Sequence, residues 1–347
     1  MHADRLNRRA AAFILGAVTL LLAGVGTALV VLNSRGGGPS DELRASDLRA
    51  VRESAVGYLR RAQNRDGGFG GTPGETSDPI PTAWAALGLA GAQQNVREAP
   101  EGSRSVEDYL ERNSPSPKDS GALERSILVA RAAGVPSRSL RKQRPFRALV
   151  RRQASDGSFE GLTNLTAFGV LALRAAGEPL GSKRLDRARS WLERQQNSHG
   201  GFGFSPRPSQ SDVDNTAAAL QALVTGRSRR TAIDKAVHFL VRAQRRDGGF
   251  GQRPGQASNA QSTSWAVQGL ATGGSGRPKE AISKGVMYLT SLQARDGSIR
   301  YSRRSAQTPV WVTGQALLAL HLRPLPLVGS ARIHQQVRRA GRKPLVK

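Results

Sequence analysis

Apolar residues recur along this chain in two alternating patterns, and a short polar signature separates them. In the first pattern they fall at helical spacing among arginines: Val51, Ala55, Tyr58, Leu59 and Ala62 mark one face of an amphipathic helix. In the second, almost every position is small or apolar, as in Thr82-Ala83-Trp84-Ala85-Ala86-Leu87-Gly88-Leu89. A helix with no wet side is buried on nearly every side. Between the two stands Gln63-x2-Asp66-Gly67-Gly68-Phe69, where glycine ends the first helix by reaching left-handed dihedrals and the Phe tucks back as an apolar plug.

That line returns. Leu149 leads to Gln153 and Asp156-Gly157-Ser158-Phe159, Leu192 to Gln196 and His199-Gly200-Gly201-Phe202, Leu240 to Gln244 and Asp247-Gly248-Gly249-Phe250, and Leu289 to Gln293 and Asp296-Gly297-Ser298-Ile299. Tyr109-Leu110 opens a further copy whose loop has decayed to Ser114-Pro115-Ser116-Pro117. Apolar second helices follow at Thr166, Thr216, Thr263 and Thr313. The chain is therefore read as all-α, about six helical hairpins, each with an inner and an outer helix. The pattern leaves an open solenoid and a closed ring equally available.

The ends differ. Ala10 to Leu32 holds 23 residues without a charge, enough to cross a bilayer as one helix. It reads as a transmembrane signal anchor, because a cleaved signal peptide usually has an apolar stretch of about 7–15 residues. Arg5, Arg8 and Arg9 upstream favour a single-pass plasma-membrane protein with the repeats extracytoplasmic, while Arg35, Arg44, Arg49 and Arg52 dilute that bias. The expected layout is a basic flank at 1–9, the anchor at 10–32, a Gly-rich linker at 33–44, repeats at 45–322 and a basic disordered tail at 323–347. The tail is either an electrostatic clamp on an anionic surface or a loose soluble end.

Composition narrows the chemistry. Lys and Arg number 52 against 26 Asp and Glu, a net charge of +26, but the arginines are spread along the chain rather than gathered in one stripe. Specific nucleic-acid binding is not expected, whereas contact with anionic lipid or a cell-wall polymer is. The absence of cysteine removes disulfides and thiolate chemistry, and there are five histidines. His199, in a repeat loop, is expected to be a loop hydrogen bonder and His238 a surface residue. No metal and no cofactor are expected. Arg207 and Arg253 fall in loops expected at the mouth of the inner helices.

The candidate chemistry lies in Ser211-Asp212-Val213-Asp214-Asn215-Thr216-Ala217, at the start of an inner helix. Acids and Asn ahead of an Ala-rich helix are what an N-cap and a favourable helix dipole require. The Leu-x3-Gln-x2-Asp-Gly-Gly-Phe-Gly line with its Thr-x-Trp helix resembles the repeats of protein prenyltransferase β subunits and of squalene-type triterpene cyclases. The resemblance covers about residues 45–322. It implies a closed α/α toroid whose inner helices surround an apolar funnel, with the Gln and Asp-Gly-Gly-Phe residues stapling neighbouring repeats.

The same resemblance separates two branches. Prenyltransferases of this type hold zinc with an Asp, a Cys two residues on and a later His. Here those positions are Asp212, Asp214 and Val312, so a zinc-dependent protein prenyltransferase is not implied. Protonating cyclases carry Asp-x-Asp-Asp before the Thr, and Asp212-Val213-Asp214-Asn215 is similar to it, with Asn215 in place of the last acid. The resemblance makes Asp214 the proton donor of a metal-independent class II terpene cyclase-like isomerase. Asp212 and Asn215 would be its neighbours. Trp84, Phe168, Trp265 and Trp311 would then line the funnel around an isoprenoid-type ligand, or else plug the core between helices. The alternative function is a non-catalytic toroid that binds an apolar ligand or a protein partner at the membrane surface.

Overall fold

The computed structural model describes residues 39–99, 101–226, 228–272 and 278–327. Among them are thirteen helices: α1 (Pro39–Ala62), α2 (Pro79–Gly91), α3 (Val106–Arg112), α4 (Ser120–Ala132), α5 (Ser137–Leu140), α6 (Arg144–Arg152), α7 (Thr163–Ala175), α8 (Lys183–Gln195), α9 (Val213–Leu223), α10 (Arg230–Ala243), α11 (Ala260–Ala271), α12 (Lys279–Thr290) and α13 (Pro309–Leu320). A two-residue antiparallel pair, β1 (Phe202–Gly203) with β2 (Ser211–Asp212), brackets the loop before α9.

Six apolar helices, α2, α4, α7, α9, α11 and α13, form the inner ring, each packed on the next, and α13 packs on α2. The ring is closed, which decides the question that periodicity left open. The outer helices bury one face only: in α10 it is Ala232, Ile233, Ala236, Phe239, Leu240 and Ala243.

The repeated Gln has two jobs. It caps the outer helix in an extended conformation (Gln153, Gln196 and Gln244), and its amide then donates to the carbonyl of its own loop Gly and to a carbonyl of the next outer helix. The second bonds run from Gln153 to Arg184, Gln196 to Ala232, Gln244 to Ala281 and Gln293 to Val51, at 2.8–3.0 Å. The last of these crosses from the final repeat to α1.

The first loop glycine is fixed by the same contact. Gly297 has φ +92°, and a Cβ there would lie 2.4 Å from the Ser54 carbonyl oxygen on α1. A side chain is excluded both by the dihedral and by the neighbouring backbone. Each loop is tied inward as well. The backbone N–H of Phe69, Phe159, Phe202, Phe250 and Ile299 donates to the hydroxyl of Thr82, Thr166, Thr216, Thr263 and Thr313 at 2.8–3.0 Å.

The second loop position is Gly in three copies and Ser in two, for a local reason. In the four copies that carry the loop Asp, its carboxylate accepts a hydroxyl. Ser158 and Ser298 supply it from within the loop, whereas Ser77 and Ser258 supply it from eleven residues downstream. Where the downstream Ser does so, a Cβ at Gly68 or Gly249 would overlap it at 2.6 Å.

Closure at α13 and α2 depends on small residues. A Cβ on Gly88 would sit 2.4 Å from the Gly314 carbonyl oxygen, and one on Gly314 would sit 2.5 Å from that of Trp84. The first N–H of α13, on Val310, reaches the Gly71 carbonyl, as Thr163, Val213 and Ala260 reach the loops of their own next repeats.

Some boundaries differ from the sequence reading. Helix α1 begins at Pro39, within the stretch expected as linker. Leu325 and Leu327, expected in the tail, are buried, so the packed domain runs past 322. The decayed second copy has an outer helix of seven residues, α3, and an added turn, α5. The anchor at 10–32 lies outside the described residues, and among those described no helix is long and apolar enough to cross a membrane.

Replacing Gln293 by Ala removes the bond that joins the last repeat to the first. Urea unfolding of Gln293→Ala should show a loss of about 1–3 kcal/mol. Gln63→Ala should cost less than about 1 kcal/mol, because among the described residues the Gln63 amide donates only within its own loop. Equal losses would show that the cross-repeat bonds do not carry the closure.

Candidate active site on the ring axis

The sixth residues of the inner helices are Trp84, Arg125, Phe168, Ala218 and Trp265, and α13 places Gln315 at the same distance beyond its Thr. Trp84 and Trp265 come from helices that are not ring neighbours, yet their rings meet edge to face at 6.1 Å and 86°. This register therefore points to the axis. Four residues earlier, about one turn up on the same face, stand Ile80, Gly121, Asn164, Asp214, Gln261 and Trp311. The axis is more polar than the resemblance implies, and Gln261 donates to Gln315 across two helices at 3.0 Å.

The three polar residues at the head of α9 separate by role. Asp212 is the N-cap: its Oδ1 accepts the Asn215 N–H and its Oδ2 the Asn215 side-chain amide, both at 2.7 Å. The same bond is made by Asp78 to Ile80, Asp119 to Ala122 and Asn259 to Ser262 on other inner helices. Asp212 and Asn215 thus serve the cap. Asp214 does not. Its side chain faces the axis, and its Oδ1 is buried with no hydrogen-bond partner among the described residues.

Burial, reinforced by the adjacent Asp212 charge, holds the Asp214 carboxyl well above the usual range, with a small opposing effect from the Ser262 hydroxyl. Burial also raises Asp212, to about 6, although the Asn215 bonds and the Arg253 guanidinium oppose it. The capping carboxylate, held by two bonds from Asn215, is the one that keeps its charge, and Asp214, whose Oδ1 has no partner among the described residues, is the one that keeps the proton. Such a pair is one acid ready to donate beside one fixed anion.

The four candidate rings divide between two levels. Trp84 and Trp265 are 1% exposed or less and pack on each other as a floor. Trp311 shares the level of Asp214, and its indole N–H is buried without a partner among the described residues. Asp214, Arg125, Phe168 and Trp311 retain 5–9% exposure. His199 is a loop hydrogen bonder, accepting the Gly201 N–H on Nδ1 at 3.3 Å, and His238 is exposed. Arg207 lies on the outside of the ring, in a 310 Å³ pocket with Glu193, Arg229 and Lys235. No group of His, Asp and Glu suited to hold a metal occurs among the described residues.

Sequence reasoning missed Glu124 and Arg125 on α4. Glu124 is fully buried with both carboxylate oxygens unpartnered, and burial pushes it well above the usual carboxylate range despite Arg125. The available signal was two adjacent charges in a helix whose counterparts carry Ala83-Trp84 and Ala167-Phe168.

The prenyltransferase alpha-alpha toroid domain matches residues 17–116 and 137–300. Drimenyl diphosphate synthase of Streptomyces showdoensis is 36% identical over 74 residues, which are 21% of this chain and 14% of that protein's length. The fold is similar to the type II terpene cyclase MstE from Scytonema, solved with its substrate geranylgeranyl dihydroxybenzoate, at a TM-score of 0.56 and 16% identity over 81% of this chain and 99% of that one. It is also similar to a glycosidase solved with glucose, at a TM-score of 0.58 and 13% identity over 83% of this chain and 100% of that one. Neighbours this distant in sequence share the fold and differ in chemistry, while the domain match spans most of the ring. This chain belongs to the prenyltransferase alpha-alpha toroid family.

Proposed function

We propose that the protein cyclises an isoprenoid by protonation, with Asp214 as the acid. The observation that carries this reading is a buried carboxyl on the axis that caps nothing and is raised by burial and by Asp212. The carboxyl O–H bond breaks as its proton adds to a terminal alkene. The tertiary carbocation so formed is then attacked by the next double bond of the same chain. Loss of a proton from the final cation, and return of a proton to Asp214, leave an isomer of the substrate. Trp311 offers a ring face to the cation at the level of Asp214. The fold match to MstE runs across nearly all of that cyclase chain, which supports a single ring of this size as sufficient.

The uncharged stretch at 10–32 would hold the ring at the plasma membrane, where isoprenoid lipids partition, with the repeats extracytoplasmic. The basic surface would rest against anionic lipid or a wall polymer. One observation favours the non-catalytic alternative: Trp84 and Trp265 close the axis on each other, which suits a scaffold or a binder.

The test is mass spectrometry of organic extracts from full-length protein purified from its own membranes, beside Asp214→Asn. A cyclised isoprenoid in wild type and its linear precursor in the variant, with turnover reduced about 10²-fold or more, is expected. The same apolar molecule in both would identify a binder, and none in either would leave the outer surface as the working one.

Stability supplies an independent check. An acid whose folded pKa is raised binds its proton more tightly when folded, so the folded state loses ground as pH rises from about 4 through the raised value. Asp214→Asn removes that loss. Its stability relative to wild type, measured by urea unfolding, should increase from pH 4 to pH 8; a constant difference would mean that folding leaves the proton affinity of Asp214 unchanged and would overturn the buried acid.

A further inference from the structure

On the outside of the ring, at the seam between α8 and α10, lies the 310 Å³ pocket that holds Arg207. Three segments wall it: the loop after α8 with Ser198, the loop that carries Arg207, and the start of α10 with Arg229, Thr231 and Lys235. Glu193 is the one acid in its lining. Arg229 engages both Glu193 oxygens, through its backbone N–H at 2.8 Å and its Nε at 3.3 Å. Arg207 and Lys235 remain as cations in excess, neither within 4.0 Å of a carboxylate among the described residues.

Exposed lysines are ordinarily just solvated, and what sets Lys235 apart is its counterpart one seam along. A Cβ on Gly200 would lie 3.0 Å from the Lys235 Cβ, as one on Gly248 would lie 3.2 Å from the Lys284 Cβ. The two lysines thus hold the same place in consecutive seams. Lys284 has acids on both sides: Glu280, one turn earlier, pairs with it at 2.6 Å, and the loop Asp247 adjoins Gly248. Around Lys235 both are replaced. Thr231 stands in the place of Glu280, and His199 in the place of Asp247. Asp234, the neighbour of Lys235 in sequence, pairs with Arg230 at 3.1 Å.

Arg207 is held in position. Its backbone N–H donates to the Gln195 side-chain oxygen and its Nη1 to the Gln196 carbonyl, both at 3.1 Å. The guanidinium is thereby fixed against the same Gln196 that bridges to Ala232. Two cations in one concave site, with no acid to offset them, raise the local concentration of anions. Charge-assisted bonds to a bound anion relieve their mutual repulsion.

We propose that this pocket binds a phosphate group, whether of a free phosphate or of a membrane-lipid headgroup. Arg207, Lys235 and the Ser198 and Thr231 hydroxyls are donors on three segments. Such a set suits a tetrahedral group with oxygens on several sides better than a planar carboxylate. The site lies outside the ring and is independent of the chemistry at Asp214. As a headgroup site it gives the anionic-lipid contact proposed above a fixed point on the ring, and to that extent it rests on that reading.

The test is calorimetric titration of the full-length chain in detergent, at low ionic strength. The probes are inorganic phosphate, glycerol 3-phosphate, short-chain phosphatidylglycerol and acetate. Wild type should bind at least one phosphate probe about tenfold or more tightly than acetate. Phosphatidylglycerol as the tightest probe assigns a lipid headgroup; inorganic phosphate or glycerol 3-phosphate as the tightest assigns a free phosphate. Arg207→Gln and Lys235→Gln should each weaken that binding about tenfold. His199→Asp restores a loop acid and should weaken it as much without lowering the melting temperature, because Asp accepts the equivalent loop N–H in the other copies. Lys284→Gln should bind as wild type does. No binding of a phosphate probe, acetate binding as tightly, or affinity unmoved by the three pocket variants would each overturn the site. An equal loss in Lys284→Gln would also overturn it, by showing attraction to the basic surface at large. Asp214→Asn should bind phosphate as wild type does, so the site and the proposed acid stand or fall separately.

Discussion

A glutamine side chain that reaches from the end of one outer helix to a carbonyl of the next sets the circumference of this ring. The amide can make that bridge only because the adjacent loop glycine lets two backbones approach within van der Waals contact, as at Gly297 and Ser54. The Thr hydroxyl then hangs each inner helix from the loop that the bridge has placed. Register is thereby passed inward. Residues two beyond the Thr reach the axis in one layer, and residues two before it reach the axis a turn higher. The position of Asp214 is thus a consequence of hydrogen bonds made by residues that have no chemistry of their own.

The hairpins were legible because the loop line is long, phased and demanding: Gln, Asp, Gly and Phe each answer to a different physical need. Closure was not legible from periodicity. It depends on Gly88 meeting Gly314, and two glycines in apolar helices carry no mark of which helix they face. The second copy was read poorly because its loop had lost the line, and Glu124 and Arg125 lie in that copy. The burial of Leu325 and Leu327 was hidden by the basic residues around them, since composition reports the average of a segment and packing selects individual side chains.

At the candidate site, sequence could name the acids but could not divide the labour between them. Asp212 and Asp214 are two residues apart, and either could cap a helix on composition alone. The capping geometry recurs at Asp78, Asp119 and Asn259, which shows that Asp212 follows the rule of the repeat and that Asp214 departs from it. A departure from a repeated pattern, at a buried position, is where a cost in stability has been accepted locally. The polar residues along the axis, from Asn164 to Gln315, extend the same departure and make this interior unlike a simple apolar core.

The seam between α2 and α13 also bears on how the protein is made. Every other seam between inner helices joins helices close in sequence and can form as the chain emerges, but Gly88 and Gly314 belong to opposite ends. At about 5–20 residues per second, synthesis separates them by about 10–45 s. For that interval the first hairpin presents the Gly88 face without the helix that packs on it. The ring is an arc until its last helix arrives, and contacts of such high sequence separation are slow to form. The most exposed moment in the life of this fold therefore comes before its completion, and it falls on the inner helix made first.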